Sequence, residues 1–187
     1  MLILHGWMMD ERSYAVRLAA ALMHIPLEII TDRRAEIYGP TLNDEEGYSN
    51  VGLYDVLLCL ARQSGSWWSW PEGEDLTCLK WALEGLEVFS AARRRALIAT
   101  MPGNAETEEV TLVLRGLEDR LSRARLAGNS WLCGERIGFA DIVAFPIAGL
   151  ARDLGVSMDF YPAIRRFVRM IRELPEFVVM PGIAACH

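Results

Sequence analysis

Residues 5 to 20 read HGWMMDERSYAVRLAA. Two acids, an arginine and a serine (Asp10, Glu11, Arg12, Ser13) crowd the point where a short apolar strand gives way to the first turn of a helix. A carboxylate there can serve as a base or clamp an ammonium group. It can equally cap the helix, because aspartate at a helix N-terminus accepts backbone N–H groups and complements the dipole. Ser13 and Tyr14 are the nearest hydroxyl donors. Trp7, Met8 and Met9 form a bulky, adaptable apolar surface, unusual for an exposed loop and suited to an apolar ligand. Further on, Arg33 and Arg34 offer charge to an anionic ligand, or form a solvated pair beside Asp32 and Glu36.

The surrounding pattern positions these groups. Residues 2 to 5 (LILH) read as a buried strand, and apolar positions at Ala15, Val16, Leu18, Ala19, Leu22 and Met23 give a half-buried helix closed by Pro26. Leu27 to Thr31 (LEIIT) is a second strand, and a strand, helix, strand unit in a parallel sheet requires a right-handed crossover. YGPTLNDEEGYSNV, residues 38 to 51, reads as a hairpin turning on Gly47, and Leu53 to Arg62 as a buried helix. This is the order of a thioredoxin-like domain, spanning 1–64. QSGSWWSWPEGE is irregular chain, with 65–74 as the linker, and its Trp67, Trp68 and Trp70 suit inter-domain packing or ligand contact. From 75 to 187 the pattern is helical throughout. Asp75 to Thr100 forms a long helix stopped by Pro102-Gly103, and Asn104 N-caps a second running to about Ala127. Two more follow, from Gly138 and from Pro162.

Composition excludes several classes. At 187 residues and 52% hydrophobic content the chain can bury a substantial core. No apolar run approaches the roughly 20 residues needed to cross a bilayer. Asp10 and Glu11 follow closely on an N-terminus that lacks a basic region, which argues against a signal peptide and for the cytoplasm. A net charge of -6 argues against a nucleic-acid partner. Cys59, Cys78, Cys133 and Cys186 make no CxxC, and His5, His24 and His187 lie far apart, so neither a metal site nor a disulfide framework is visible.

WLCGERIGFADIVAFPIAGLARDLGVSMDFYPAIRRFVRMIRELPEF, residues 131 to 177, closely resembles the final helices of bacterial glutathione S-transferases. Asp141 matches the aspartate of that family's capping box, with Gly138 in place of the usual Ser or Thr, and the resemblance makes it a buried folding element. SYAVRLAAALMHIPLEI, residues 13 to 29, resembles the family's first helix and second strand. Residues 38 to 62 lie on its later strands and third helix, with Pro40 on the cis-proline. Between Thr31 and Tyr38 the family's second helix is missing.

The resemblance also assigns a site. Asp10 stands where the family keeps the hydroxyl that activates the thiol, and a carboxylate there raises a thiol pKa by like charge. Ser13 is the nearest replacement. Gly52 and Leu53 stand where an acid or Gln followed by Ser holds the γ-glutamyl end of glutathione, leaving only backbone N–H groups for an anion. Gly39, Pro40, Arg33 and Arg34 complete the thiol-binding set. The second substrate is expected against Trp7, Met8, Met9, Tyr14, Phe89, Arg93 and Arg94. The resemblance implies a homodimer that joins glutathione or a smaller thiol to an electrophilic apolar or aromatic small molecule, without a metal. The alternative is a non-catalytic binding or assembly protein that kept the scaffold.

Overall fold

The computed structural model describes residues 1–44, 46–65, 68, 70–99 and 104–183, the side chains of 104–107 excepted. The Trp67 reading, the Pro102-Gly103 stop, the Asn104 side-chain cap, Cys186 and His187 lie outside the described residues. The chain divides into one unit of Met1–Pro71 with the stretch from Pro175, and a second built on Glu72–Leu174. The tail after Pro175, expected within the helical domain, thus groups with the sheet. It is bound there by the Tyr14 hydroxyl donating to Val178 O at 2.7 Å and by Arg17 donating to Val179 O at 3.2 Å.

In the small unit, strands β1 (Leu2–Gly6), β2 (Leu27–Thr31), β3 (Thr41–Asn43) and β4 (Ser49–Val51) form one mixed sheet in the order β2-β1-β3-β4. β1 is parallel to β2 and antiparallel to β3, and β3 is antiparallel to β4. Alternation along β1 sends Leu2 and Leu4 into the core with Leu42 of β3, while Ile3 and His5 face the other way. Helices α1 (Glu11–Leu22) and α3 (Leu53–Gln63) pack on each other, α1 through Ala15, Val16, Leu18 and Ala19, α3 through Val56, Leu57 and Leu60. Where the second helix of the related fold was expected to be missing stands a single turn, α2 (Ala35–Tyr38).

The helical unit is built on α4 (Gly73–Ala99), α5 (Asn104–Leu126), α6 (Phe139–Leu150) and α7 (Pro162–Arg172). Leu79, Ala82, Leu86 and Phe89 recur along α4 at the three-to-four spacing of a buried stripe. α6 is apolar nearly all round and buried on all sides, which makes it the centre of the unit, packed chiefly on α4. Gly85 permits that packing: a Cβ there would stand 3.2 Å from Val113 Cγ1 and 3.5 Å from Ile147 Cδ1. Among the described residues no helix is long and apolar enough to cross a membrane.

Asp141 ties α6 to the turn before it. Its side chain, with no exposed surface, accepts from Gly138 N and from Leu132 N, both at 2.9 Å. Burial pushes its carboxyl up from 3.8 to about 7, against the pull of backbone N–H donors from Leu132, Gly138 and Asp141 itself. An acid whose folded pKa is raised stabilises most when protonated. That contribution is complete below about pH 4 and is lost as pH rises through about 7, an effect on the order of a few kcal/mol. Urea unfolding across pH 4 to 8 should show this decline. Asp141→Asn should flatten it, and Asp141→Ala should flatten it too, costing about 2–4 kcal/mol at pH 7 and more at pH 4, because the N–H groups of Leu132 and Gly138 lose their acceptor.

Candidate functional site

The N-terminus of α1 is the place to build from, since orphan backbone donors and the positive end of the helix dipole meet there. Asp10 is the N-cap, in extended conformation, and its own N–H donates to Trp7 O at 3.0 Å. One carboxylate oxygen accepts both Ser13 N and Ser13 Oγ at 2.7 Å. The other accepts Arg12 Nε at 3.1 Å. The Ser13 hydroxyl in turn accepts Trp7 N at 3.1 Å. Asp10, Arg12 and Ser13 are all buried, with 3%, 7% and 1% of their surface exposed.

Arg12 carries this cluster across the small unit. Its Nη2 donates to Ala35 O at 2.9 Å and Glu36 O at 2.8 Å, so one guanidinium joins the start of α1 to the turn α2. Two glycines make room for the arrangement. A Cβ at Gly6 would meet Ser13 Oγ at 2.9 Å, and one at Gly39 would meet Gly52 Cα at 3.4 Å, with Arg12 Nη1 and Leu53 N each 4.0 Å away. Gly39 also holds φ 82°, where a side chain is strained. The Arg12 guanidinium therefore comes near the Gly39 backbone.

The other expected residues fall as follows. No peptide bond among the described residues is cis, so Pro40, placed by resemblance on a cis-proline, follows a trans bond. The chain is set there differently: Gly39 N donates to Ala35 O at 2.9 Å, Pro40 O accepts Gly52 N at 2.9 Å, and both residues are buried. Gly52, at φ 88°, is the N-cap of α3 and has no side chain to offer, while Leu53 is buried. Arg34 forks onto the Asp32 carboxylate, with contacts from 2.7 to 3.0 Å, and the pair is solvated. Arg34's hydrogen bonds hold the Asp32 carboxyl down at about 2. Arg33 lies over the Trp7 ring, 5.0 Å from its centroid.

Met8 is exposed and Met9 partly so. Tyr14 is fully buried, and burial holds its hydroxyl well above the ordinary tyrosine range, with Arg17 opposing. In the helical unit Phe89 is fully buried, Arg93 Nε donates to Asp153 at 2.7 Å from a buried position, and Arg94 is half-buried. Trp70 packs edge-on against Tyr54, with centroids 5.2 Å apart. Among the described residues no cluster of three or more metal-ligating side chains occurs.

The sequence reading passed over Arg12. Its position two residues after the cap gave no sign that it would reach carbonyls more than twenty positions on. The network predicts a strong coupling. Asp10→Ala, which leaves a buried guanidinium without its carboxylate, should cost about 3–5 kcal/mol in denaturant unfolding. Adding Arg12→Met should recover part of that loss, with a coupling of about 1–3 kcal/mol in the double-mutant cycle.

Comparison with known proteins bears on this geometry. Residues 103–175 match the model of the glutathione S-transferase C-terminal domain. No curated protein matches the chain. A glutathione S-transferase from Pseudomonas fluorescens Pf-5 superimposes with a TM-score of 0.80 at 21% identity, over 96% of this chain and 98% of that one. A glutathione S-transferase from Xanthobacter autotrophicus Py2 gives 0.78 at 18% identity, over 97% and 98%. A maleylacetoacetate isomerase from Anaeromyxobacter dehalogenans 2CP-1, with glutathione bound in its active site, gives 0.71 at 19% identity, over 95% and 93%. At these identities the superpositions establish the fold. Residues 103–175 thus carry a glutathione S-transferase C-terminal domain, and the chain shares with these transferases their fold, a thioredoxin-like small unit followed by a helical one.

Proposed function

We propose that this chain is a non-catalytic member of the glutathione S-transferase fold, a binding or assembly protein whose small unit does not activate a thiol. The observation that carries this reading is the closed cluster at α1. The Ser13 hydroxyl already donates to Asp10 and accepts from Trp7, the Asp10 oxygens hold three donors, and the Tyr14 hydroxyl is engaged with Val178 O. Activating a thiol requires a donor aimed at the sulfur, and a buried carboxylate beside it favours the protonated thiol. Gly52 and Leu53 offer no side-chain acid or hydroxyl to a γ-glutamyl group.

A second reading is favoured by the bound glutathione in the isomerase of the same fold. In it the chain is a transferase that joins glutathione or a smaller thiol to an electrophilic apolar or aromatic molecule. Asp10 and Ser13 would then do the chemistry. Gly39, Pro40, Gly52, Leu53, Arg33 and Arg34 would hold the thiol, and Trp7, Met8, Met9, Tyr14, Phe89, Arg93 and Arg94 the electrophile. Calorimetry with glutathione and cysteine, together with a conjugation assay on 1-chloro-2,4-dinitrobenzene, separates the two. The first reading predicts no heat of binding at millimolar thiol and no conjugation above the uncatalysed rate. Micromolar binding with turnover lost in Ser13→Ala would establish the second.

The same reading includes a homodimer in the cytoplasm. Leu97 and Ile98 on α4 and Leu112 on α5 are 49%, 78% and 68% exposed, an apolar set suited to a second copy of the chain. Sedimentation should give twice the monomer mass, and Ile98→Glu with Leu112→Glu should halve it while leaving the fold intact.

A further inference from the structure

The helical unit holds a pair of thiols that the α1 site does not use. Cys78 lies in the second turn of α4, and Cys133 in the short turn before α6. The two are far apart in sequence, yet each thiol shifts the titration of the other, and both sulfurs are free thiols. The turn that carries Cys133 is pinned on both sides. Trp131 N donates to Gly134 O at 3.0 Å, and Leu132 N donates to the buried Asp141 carboxylate at 2.9 Å. Both cysteines line one surface cavity of ≈ 480 Å³, together with Asp75, Glu74, Arg120 and Arg123. Arg120 is set in place by stacking on Trp81, 4.3 Å from the ring centroid.

We propose that Cys78 and Cys133 form a dithiol site, opening on this cavity, that a hydroperoxide oxidises to an intramolecular disulfide. Three features support it. A pinned turn and a helix bring two thiols to the wall of one cavity, the cavity admits a small oxidant, and a cation stands at its wall. The charges facing the pair divide the roles. The neighbouring Cys133 thiol and Arg120 favour the thiolate at Cys78, against burial and the charges of Asp141 and Asp75. Cys133 is held as the thiol, its pKa pushed up by the neighbouring Cys78 and by burial. A thiolate beside a resolving thiol is the arrangement that directs peroxide chemistry to one sulfur.

The Cys78 thiolate attacks one peroxide oxygen, the O–O bond breaks, and the departing alkoxide, or hydroxide from hydrogen peroxide, takes up a proton. Cys78 is now a sulfenic acid. The sulfur of Cys133 displaces its hydroxyl, the S–S bond forms, and the released hydroxide leaves as water with the Cys133 proton. Two thiols and one hydroperoxide thus become one disulfide, one alcohol or water, and a second water. The sulfurs must close across the cavity wall to a bond of about 2.05 Å, a movement the short turn can supply. The product would fasten the start of α4 to the turn that Asp141 organises.

The test treats the reduced full chain with one equivalent of hydrogen peroxide, then blocks the remaining thiols and maps them by peptide mass spectrometry. The expected product is a linkage between the peptides of Cys78 and Cys133, reversed by dithiothreitol and accompanied by a higher Tm. Cys78 should be consumed about tenfold or more faster than Cys59, whose thiol burial holds up. In Cys133→Ser, dimedone should trap a sulfenic acid on Cys78. Should that variant fail to fold, phenylarsine oxide on the wild type reads the same pair, by bridging both sulfurs at one equivalent. Separate oxidation of the two cysteines, a linkage to Cys59 or Cys186 instead, or phenylarsine oxide left unbound would overturn the proposal.

Discussion

One buried carboxylate organises the small unit. Asp10 receives two donors from Ser13 and one from Arg12, and through Arg12 the start of α1 is joined to the carbonyls of α2. A charge can stay away from water only when its partners satisfy it, and here the cap, the hydroxyl and the guanidinium do so together. The consequence reaches beyond stability. The groups that would have to face a ligand are the groups that hold the loop, the helix and the shortened connection to one another.

The shortened connection explains why an arginine is used. A full helix between β2 and β3 would carry its own hydrogen bonds, whereas the single turn Ala35–Tyr38 presents the carbonyls of Ala35 and Glu36 to the interior. A buried acceptor without a donor costs free energy, and a guanidinium, with several fixed donors, serves two carbonyls and a carboxylate at once. Glycine at position 6 leaves the space that Ser13 needs.

Most of the architecture was legible in the sequence because local pattern carries it. The apolar LILH, the β-branched LEIIT, the turn at Gly47 and Pro162 at the head of α7 each name their element with little tertiary help. Asp141 was legible as a folding group because the capping box is a local motif. What was not legible depends on contacts distant in sequence. The reach of Arg12 to Ala35 and Glu36, the meeting of Cys78 with Cys133 and the tail bound by Tyr14 leave no periodic trace. Pro40 is instructive in another way. Its place in a familiar pattern suggested a cis bond, while the backbone around Gly39 and Gly52 forms its hydrogen bonds with a trans one.

The central claim is that Arg12 and Asp10 are bound to each other and not available to a ligand. The most direct measurement is the side-chain Nε–H resonance of Arg12 in nitrogen-15-labelled protein, followed as glutathione is added. The account predicts a resolved, slowly exchanging signal that Asp10→Asn displaces and that excess glutathione leaves unmoved, along with the amides of Ser13 and Leu53. A signal lost to rapid solvent exchange, or one that shifts with glutathione in a saturable way, would contradict it.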